Sequence, residues 1–315
     1  MKIITTRLAA ILLASTSLPG IAAAQDNGPT FDNTELRGGV VMMSTGWGGN
    51  LALLPGDDGI LLIDDLLSMT GPAVEAAIEE LAGESAPRFI LNTHYHGDHT
   101  GGNPHFHEAG STIVAHHNIR ARLADSEDEW AQLPGALPIM TFGQDITFHM
   151  NGQTVQAVHV EAAHTDGDAI VYFREADVLH MGDVLFNGLF PFVDLAGGGS
   201  FDGYIAGLER GLAIAGPDTQ IIPGHGELAN RDDIQTVIDM LGSVRPLVVA
   251  LVEDGMTIES VLEADPLAEF TEDWSWGFIC TPRMTTLLYN DASGIAENWP
   301  EDMSCRAPVA EEATE

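Results

Sequence analysis

Positive charge is scarce in this sequence. Against 47 Asp and Glu stand only 12 Lys and Arg, a formal charge of −35 over 315 residues. A surface of that sign repels nucleic acid and anionic membranes, so neither is an expected partner. Cysteine is scarce as well. Cys280 and Cys305 are the only two, and neither sits in a Cys-x-x-Cys pair of the kind that builds a thiolate zinc site. A disulfide between them would suit an oxidising compartment, but two cysteines alone give no geometry. Long apolar runs are missing too. A bilayer span takes about 20 residues; the run 8–13 is too short, and no other stretch is expected to reach that length. Neither a Gly-x-Ser-x-Gly elbow nor a Ser-His-Asp series is present to supply a serine nucleophile.

The N-terminus reads as a secretory leader. Lys2 and Arg7 give the positive start, 8–13 the apolar run and Ala22-Ala23-Ala24 a small-residue cleavage site. Cleavage is expected after Ala24, leaving a mature chain from Gln25 that is periplasmic or secreted. Loss of the leader removes two basic residues and no acidic one, so the mature protein is more negative still. Apolar residues at 45% argue for a folded globule, and 34 glycines for many tight turns. The acidic stretch 307–315 is expected to be a disordered tail.

Between these ends, short apolar strands are expected at 39–44, 50–54 and 59–64, a helix at 72–81 and a strand at 88–92. A histidine-rich loop follows, then a helix, a strand at 112–115 and another helix. After a proline-containing loop at 133–138, strands resume at 146–150, 154–160, 169–173 and 178–181. A helix at 201–214 leads to a strand at 219–222, and helices close the chain at 232–253, 258–262 and 283–291. This is two similar halves, each of strands followed by helices, which fits two facing sheets flanked by helices.

The most informative stretch is Asn92-Thr93-His94-Tyr95-His96-Gly97-Asp98-His99-Thr100-Gly101-Gly102. His94 and His96 alternate and project to one side of an extended segment. Asp98 and His99 lie past Gly97, where the backbone can turn and aim them at a second point. Imidazole and carboxylate are ligands that zinc prefers, and two ligand groups on one loop suggest two metals close together. Three further residues end strands or open loops: His164 in His-Thr-Asp-Gly-Asp, Asp183 after Gly182, and His225 between Gly224 and Gly226. Trp47, in a glycine-rich turn, is a candidate flap tip. Asn187 and Arg122 are candidates for places near the metals, and the loop 194–200 for the pocket wall. His105, His107, His116, His117, His149, His159 and His180 read as surface or core histidines.

His-x-His-x-Asp-His, a distant His, Gly-Asp and then Gly-His together resemble the motif series of the metallo-β-lactamase superfamily, over roughly 38–228. Asp64 matches its strand-terminal aspartate. The resemblance implies a four-layer αββα sandwich over a single hydrolase domain, 25–306, and two zinc ions at one edge of the sheets. Carried over, His94, His96 and His164 would hold the first zinc and Asp98, His99 and His225 the second, with Asp183 bridging them or binding the second. Histidine at position 96 favours zinc over the di-iron relatives, which carry glutamate there. Asp98 is then either a ligand only or also the group that orients the nucleophile and passes a proton. The expected function is hydrolysis of a cyclic amide or ester in a small-molecule substrate, by hydroxide held between the metals, with weak activity on β-lactams. Asp183 stands where one class of zinc β-lactamases has cysteine, and Phe186 where that class has a substrate-binding lysine, so the second site looks more like that of glyoxalase II or lactonases. A thioester hydrolase or lactonase is the alternative, and an iron-dependent sulfur-oxidising oxidoreductase the alternative from another class.

Overall fold

The computed structural model describes residues 28–305. The expected leader at 1–24 and acidic tail at 307–315 lie outside the described residues.

The first sheet runs edge to edge in chain order: β1 (Asp32–Glu35), β2 (Val41–Ser44), β3 (Leu51–Leu54), β4 (Leu61–Ile63), β5 (Phe89–Asn92), β6 (Thr112–His116) and β7 (Met140–Phe142). Its first four strands form an antiparallel meander and its last four run parallel. Helical crossovers make the parallel half possible: α1 (Gly71–Ala82) and, after the single turn α2 (Gly97–Thr100), α3 (Asn103–Glu108) and α4 (His117–Asp125). The second sheet contains β8 (Asp145–Met150), β9 (Gln153–His159), β10 (Ala169–Phe173), β11 (Val178–His180) and β12 (Gln220–Ile222), in the order β12-β11-β10-β9-β8. Only its β11–β12 pair is parallel, crossed by α5 (Phe201–Ile214). The chain continues through α6 (Arg231–Glu253), α7 (Ile258–Ala264), α8 (Thr271–Trp274) and α9 (Thr281–Ser293).

The period of two in the strands decides the layering. Met42, Ala52, Leu54, Leu61, Ile63, Leu91 and Val114 share one core with Val155, Ala157, Val171 and Phe173 of the facing sheet. Their neighbours Val41, Met43, Leu51, Leu53, Leu62 and Ile90 point the other way, onto Val74 and Ile78 of α1 and Phe106 of α3. On the far side, Ile170, Leu179 and Ile221 pack against Tyr204 and Leu208 of α5, Ile234 and Leu241 of α6 and Leu287 of α9. These strands are apolar on both faces because both faces are covered. The result is the expected αββα sandwich. Helix boundaries follow local chemistry. The Ser200 hydroxyl caps α5 by accepting from Gly203 N, Asn230 and Asp233 form a capping box on α6, and Gly83 closes α1 in the left-handed conformation.

Two expectations need correction. β1 and β7 were not expected; β1 is exposed along its length and β7 over most of its own, so neither carries a burial pattern, and pairing alone makes them strands. Finally, α6 is by length and composition apolar enough to cross a membrane, contrary to the expectation that no stretch is. Its buried stripe, including Val237, Val244 and Val248, belongs to the core over the second sheet, as in a core helix.

Leu53 is fully buried between β3 and the helices. Leu53→Ala is expected to cost about 2–5 kcal/mol in urea unfolding, with an unchanged m-value.

Candidate metal centre

All seven expected ligands lie beyond strand ends that meet at one rim of the sandwich. β5 runs out at Asn92 into the His94–His99 segment, and β12 ends at Ile222, three residues before His225. Asp183 follows β11, and His164 lies in the β9–β10 connection. In parallel sheets the carboxyl ends of strands leave such a crevice, and here two sheets contribute to one. The sheets are tied across it: Ala169 N donates to Thr93 O at 2.8 Å and Asn50 N to Gly224 O at 2.7 Å.

The seven side chains fall into two groups, His94, His96, His164 and Asp183, and Asp98, His99 and His225, with the ligand atoms of each group within 4.8 Å of one another. Asp183 lies between them. Its Oδ2 is 3.5 Å from His164 Nε2 and 3.4 Å from His225 Nε2, and its Oδ1 is 3.2 Å from His99 Nε2. The turn α2 does the aiming: His99 N and Thr100 N both donate to His96 O, and past this turn Asp98 and His99 join His225 while the His99 ring stays 4.0 Å from that of His94.

Four of the five rings are oriented through the nitrogen turned away from the centre. Carboxylate and carbonyl oxygens only accept, so the nitrogen facing them carries the hydrogen and the other keeps its lone pair. His99 Nδ1 donates to Asp64 Oδ2 at 2.8 Å, and His164 Nδ1 to Phe192 O at 2.7 Å. His96 Nε2 donates to Asp194 Oδ2 at 2.9 Å, turning its Nδ1 toward His164. The Thr93 hydroxyl donates to Asp64 Oδ2 at 2.7 Å and so accepts from His94 Nδ1 at 3.1 Å. His225 is held by stacking instead, its ring nearly parallel to that of Phe186 at 5.0 Å and beside Trp276 at 5.7 Å.

Without a cation, the centre is balanced by protons. Burial opposes charge on His99, but Asp183, Asp98 and Asp64 outweigh it and raise its pKa well above the usual value. Burial is overcome in the same way at His225, where Asp183 and then Asp98 raise the pKa to about 9. Burial dominates at His164, which falls to about 4, and at His94, which also falls well below its usual value. Burial would raise Asp98 and Asp183, yet the neighbouring histidines hold both well below the carboxylate range. Asp194 is likewise held low against burial by hydrogen bonds led by His96.

The residues fit a pair of divalent cations. Five imidazoles and two carboxylates are a zinc-type donor set. His94 Nε2, His99 Nε2 and Asp183 Oδ1 are buried with no hydrogen-bond partner. Each would cost about 1–3 kcal/mol if left so.

Two glycines allow the close approach. A Cβ on Gly49 would lie 2.2 Å from the His99 ring, and one on Gly224 2.0 Å from Asp183 Oδ1. The β2–β3 hairpin thereby closes over the centre, and the Asn50 amide fastens it by donating to Pro223 O and Gly226 O. Beside the ligands opens a cavity of about 650 Å³, with Gly46 and Gly48 of the hairpin on one side and Phe186, Phe192, Trp276 and Phe278 on the other. The hairpin is the expected flap, but Trp47 is 47% exposed and does not line the cavity. Arg122 does not reach the centre; it pairs with Asp166 at 2.7 Å and lies over the Tyr95 ring. Asn187 turns away to Glu227 O. The loop after Asp194 supports the centre from behind rather than lining the cavity. Trp276 and Phe278 were missed in sequence, and Asp194 was named only as the start of a wall loop and not as a partner of His96, since no spacing or motif sets them apart.

Comparison with known proteins agrees with this geometry. The family model described as the metallo-beta-lactamase superfamily matches residues 44–225. A hydroxyacylglutathione hydrolase of a Synechococcus species is 33% identical over 123 residues, 38% of this chain and 44% of that protein. The alpha subunit of a 2,4-dinitroanisole O-demethylase of a Nocardioides species is 22% identical over 234 residues, 74% of this chain and 69% of that one. The chain thus spans less than half the length of the Synechococcus protein. Among solved structures, a metallo-beta-lactamase from Pontibacter korlensis superposes with a TM-score of 0.56 at 19% identity, over 68% of this chain and 100% of that one.

Two outcomes follow, the first for metal-stripped protein. The raised pKa of His225 contributes stability that is fully present below about 6.5 and lost as pH rises through about 9. Calorimetry is expected to show a lower unfolding temperature at pH 9.5 than at pH 6.5, while zinc affinity runs the other way because zinc displaces those protons. Gly49→Ala is expected to lose bound metal by elemental analysis, because the added methyl overlaps His99.

Proposed function

The chain belongs to the metallo-β-lactamase superfamily of metallohydrolases, and from that membership we propose that it is an exported two-zinc hydrolase that opens cyclic amides or esters. The observation that carries the reading is the pair of donor groups sharing Asp183 beside a cavity large enough for a small organic substrate. Zinc bound there would supply a Lewis acid for a carbonyl oxygen and water with a pKa lowered to about 7.

The chain's own residues divide the remaining work. Asp98 is 28% exposed, lines the cavity, and has Oδ2 3.5 Å from His99 Nε2 and 3.4 Å from His225 Nε2. It is placed to orient water and to hold a proton on its way to the leaving group. Phe186, Phe192 and Trp276 exclude solvent and offer flat apolar surfaces to a ring or acyl chain. Among the described residues no lysine or arginine lines the cavity, and Glu227 does. An anionic tail would meet no Lys or Arg counter-charge there, which argues for low activity on penicillins and carbapenems, whose fused ring carries a carboxylate.

A thioester hydrolase is the second reading, favoured by the curated hydroxyacylglutathione hydrolases that the chain resembles. The same want of cationic lining weighs against an anionic thiol carrier. Export rests on the expected leader and gains support from the Cys280–Cys305 disulfide, a bond at home in oxidising compartments.

Zinc-loaded protein assayed on lactones, lactams, penicillins, carbapenems and glutathione thioesters is expected to favour uncharged cyclic substrates. Asp183→Ala should lower kcat/KM at least about 100-fold, since even outer-shell partners of metal ligands are worth about 10–100-fold. Rates at the Asp183→Ala level for every lactone and lactam would sink the reading, and a clear preference for the thioester would replace it with the second.

A further inference from the structure

The C-terminal segment lies outside the stretch 44–225 that matches the family, yet it reaches the centre. Asp194 is buried, and its Oδ2 accepts from both His96 Nε2 and the Tyr95 hydroxyl. Its Oδ1 accepts from Gly197 N and from Asn298 Nδ2, each at 2.8 Å. Asn298 also accepts from Leu195 N at 2.9 Å, so one amide grips the Asp194 turn from two sides. Its own carbonyl accepts from Asn290 on α9. The next residue, Trp299, packs on Phe192 at 5.1 Å, whose ring stacks on His96 and whose carbonyl orients His164. Arg283 covers the outer face of Trp299 and donates to Met303 O, and Cys305 is bonded to Cys280 at the start of α9.

We propose that residues 294–305 form a disulfide-closed strap that sets metal affinity in the group His94, His96, His164 and Asp183, with Asn298 and Asp194 as positioning residues for His96. The inference rests on reading that group as a metal site. Asp194 fixes the His96 tautomer and ring angle so that the Nδ1 lone pair faces the centre, and Asn298 fixes Asp194. The hydrogen bonds of the strap serve this group alone: in the other, His99 is oriented by Asp64, and the strap meets His225 only through ring packing, Trp299 on Phe278, Phe278 on Trp276 and Trp276 on His225. An effect confined to one of two binding steps is therefore the signature, and general loosening of the fold would not produce it.

The test is competition between a zinc chelator and the full-length protein, with cobalt spectra to separate the two steps. Asp194→Ala is expected to weaken one step about 10–100-fold, and Asn298→Ala the same step by a smaller factor. Asp194→Asn keeps one acceptor oxygen for His96 but turns its amide NH2 on Gly197 N and Asn298 Nδ2, and should restore only part of the loss. Cys280→Ser with Cys305→Ser should move that same step in the direction of Asn298→Ala. The other step should stay within about threefold throughout, far inside the range seen for outer-shell partners. Two unchanged steps in folded variants, or equal weakening of both, would overturn the strap. A wild-type protein that binds no metal would overturn it together with the zinc reading, whereas one that binds two ions and hydrolyses nothing would leave it standing. If Asp194→Ala does not fold, Asn298→Ala decides the matter.

Discussion

The centre depends first on the carboxylate of Asp64. It lies beyond the end of β4, fully buried, with its backbone in the left-handed region at φ 62°. A side chain held there costs conformational energy that surrounding contacts must offset. Three contacts do so: Asp64 accepts from Thr93 N and the Thr93 hydroxyl, each at 2.7 Å, and from His99. One group thus orients a histidine of each metal group, His99 directly and His94 through Thr93. The adjacent Asp65 is also buried; burial and then Asp64 push its pKa well up, while it receives Gly102 N. Two acids side by side therefore need not carry two buried charges.

What could be read in the sequence was whatever leaves a local trace. Short apolar runs such as Leu51–Leu54 announce strands, though not that both of their faces are covered, and the spacing of His94, His96, Asp98 and His99 announces a shared centre. His164, Asp183 and His225 were named from their places after strands and beside glycines, and the fold brings all of them to the same rim. Partners fixed only by folding leave no such trace. Asp194 earns its place through Asn298, 104 residues away, and Trp276 and Phe278 reach the cavity from a segment with no periodic signature. The exposed edge strands fail for a related reason, since hydrogen bonding to a neighbour defines them and burial does not. Arg122 shows the converse: its position in sequence suggested nearness to the metals, but Asp166 offers a closer bidentate partner.

The charge of the protein and the character of its cavity are separate matters. The acidic surface accounts for the formal charge without touching the chemistry. Inside, the carboxylates of Asp98 and Asp183 are matched against histidine rings, and the facing wall is aromatic. Selectivity in such a site comes from shape and from the want of a counter-ion more than from long-range attraction.

Each metal group draws ligands from both halves of the chain: His94 and His96 meet His164 and Asp183, while Asp98 and His99 meet His225. A ribosome that has made only the first half has therefore made neither site. Before the sheets dock, His94 and His96 lack His164 and Asp183, and Asp98 and His99 lack His225. A complete set of donors for a cation in either group therefore exists only once the sandwich has closed.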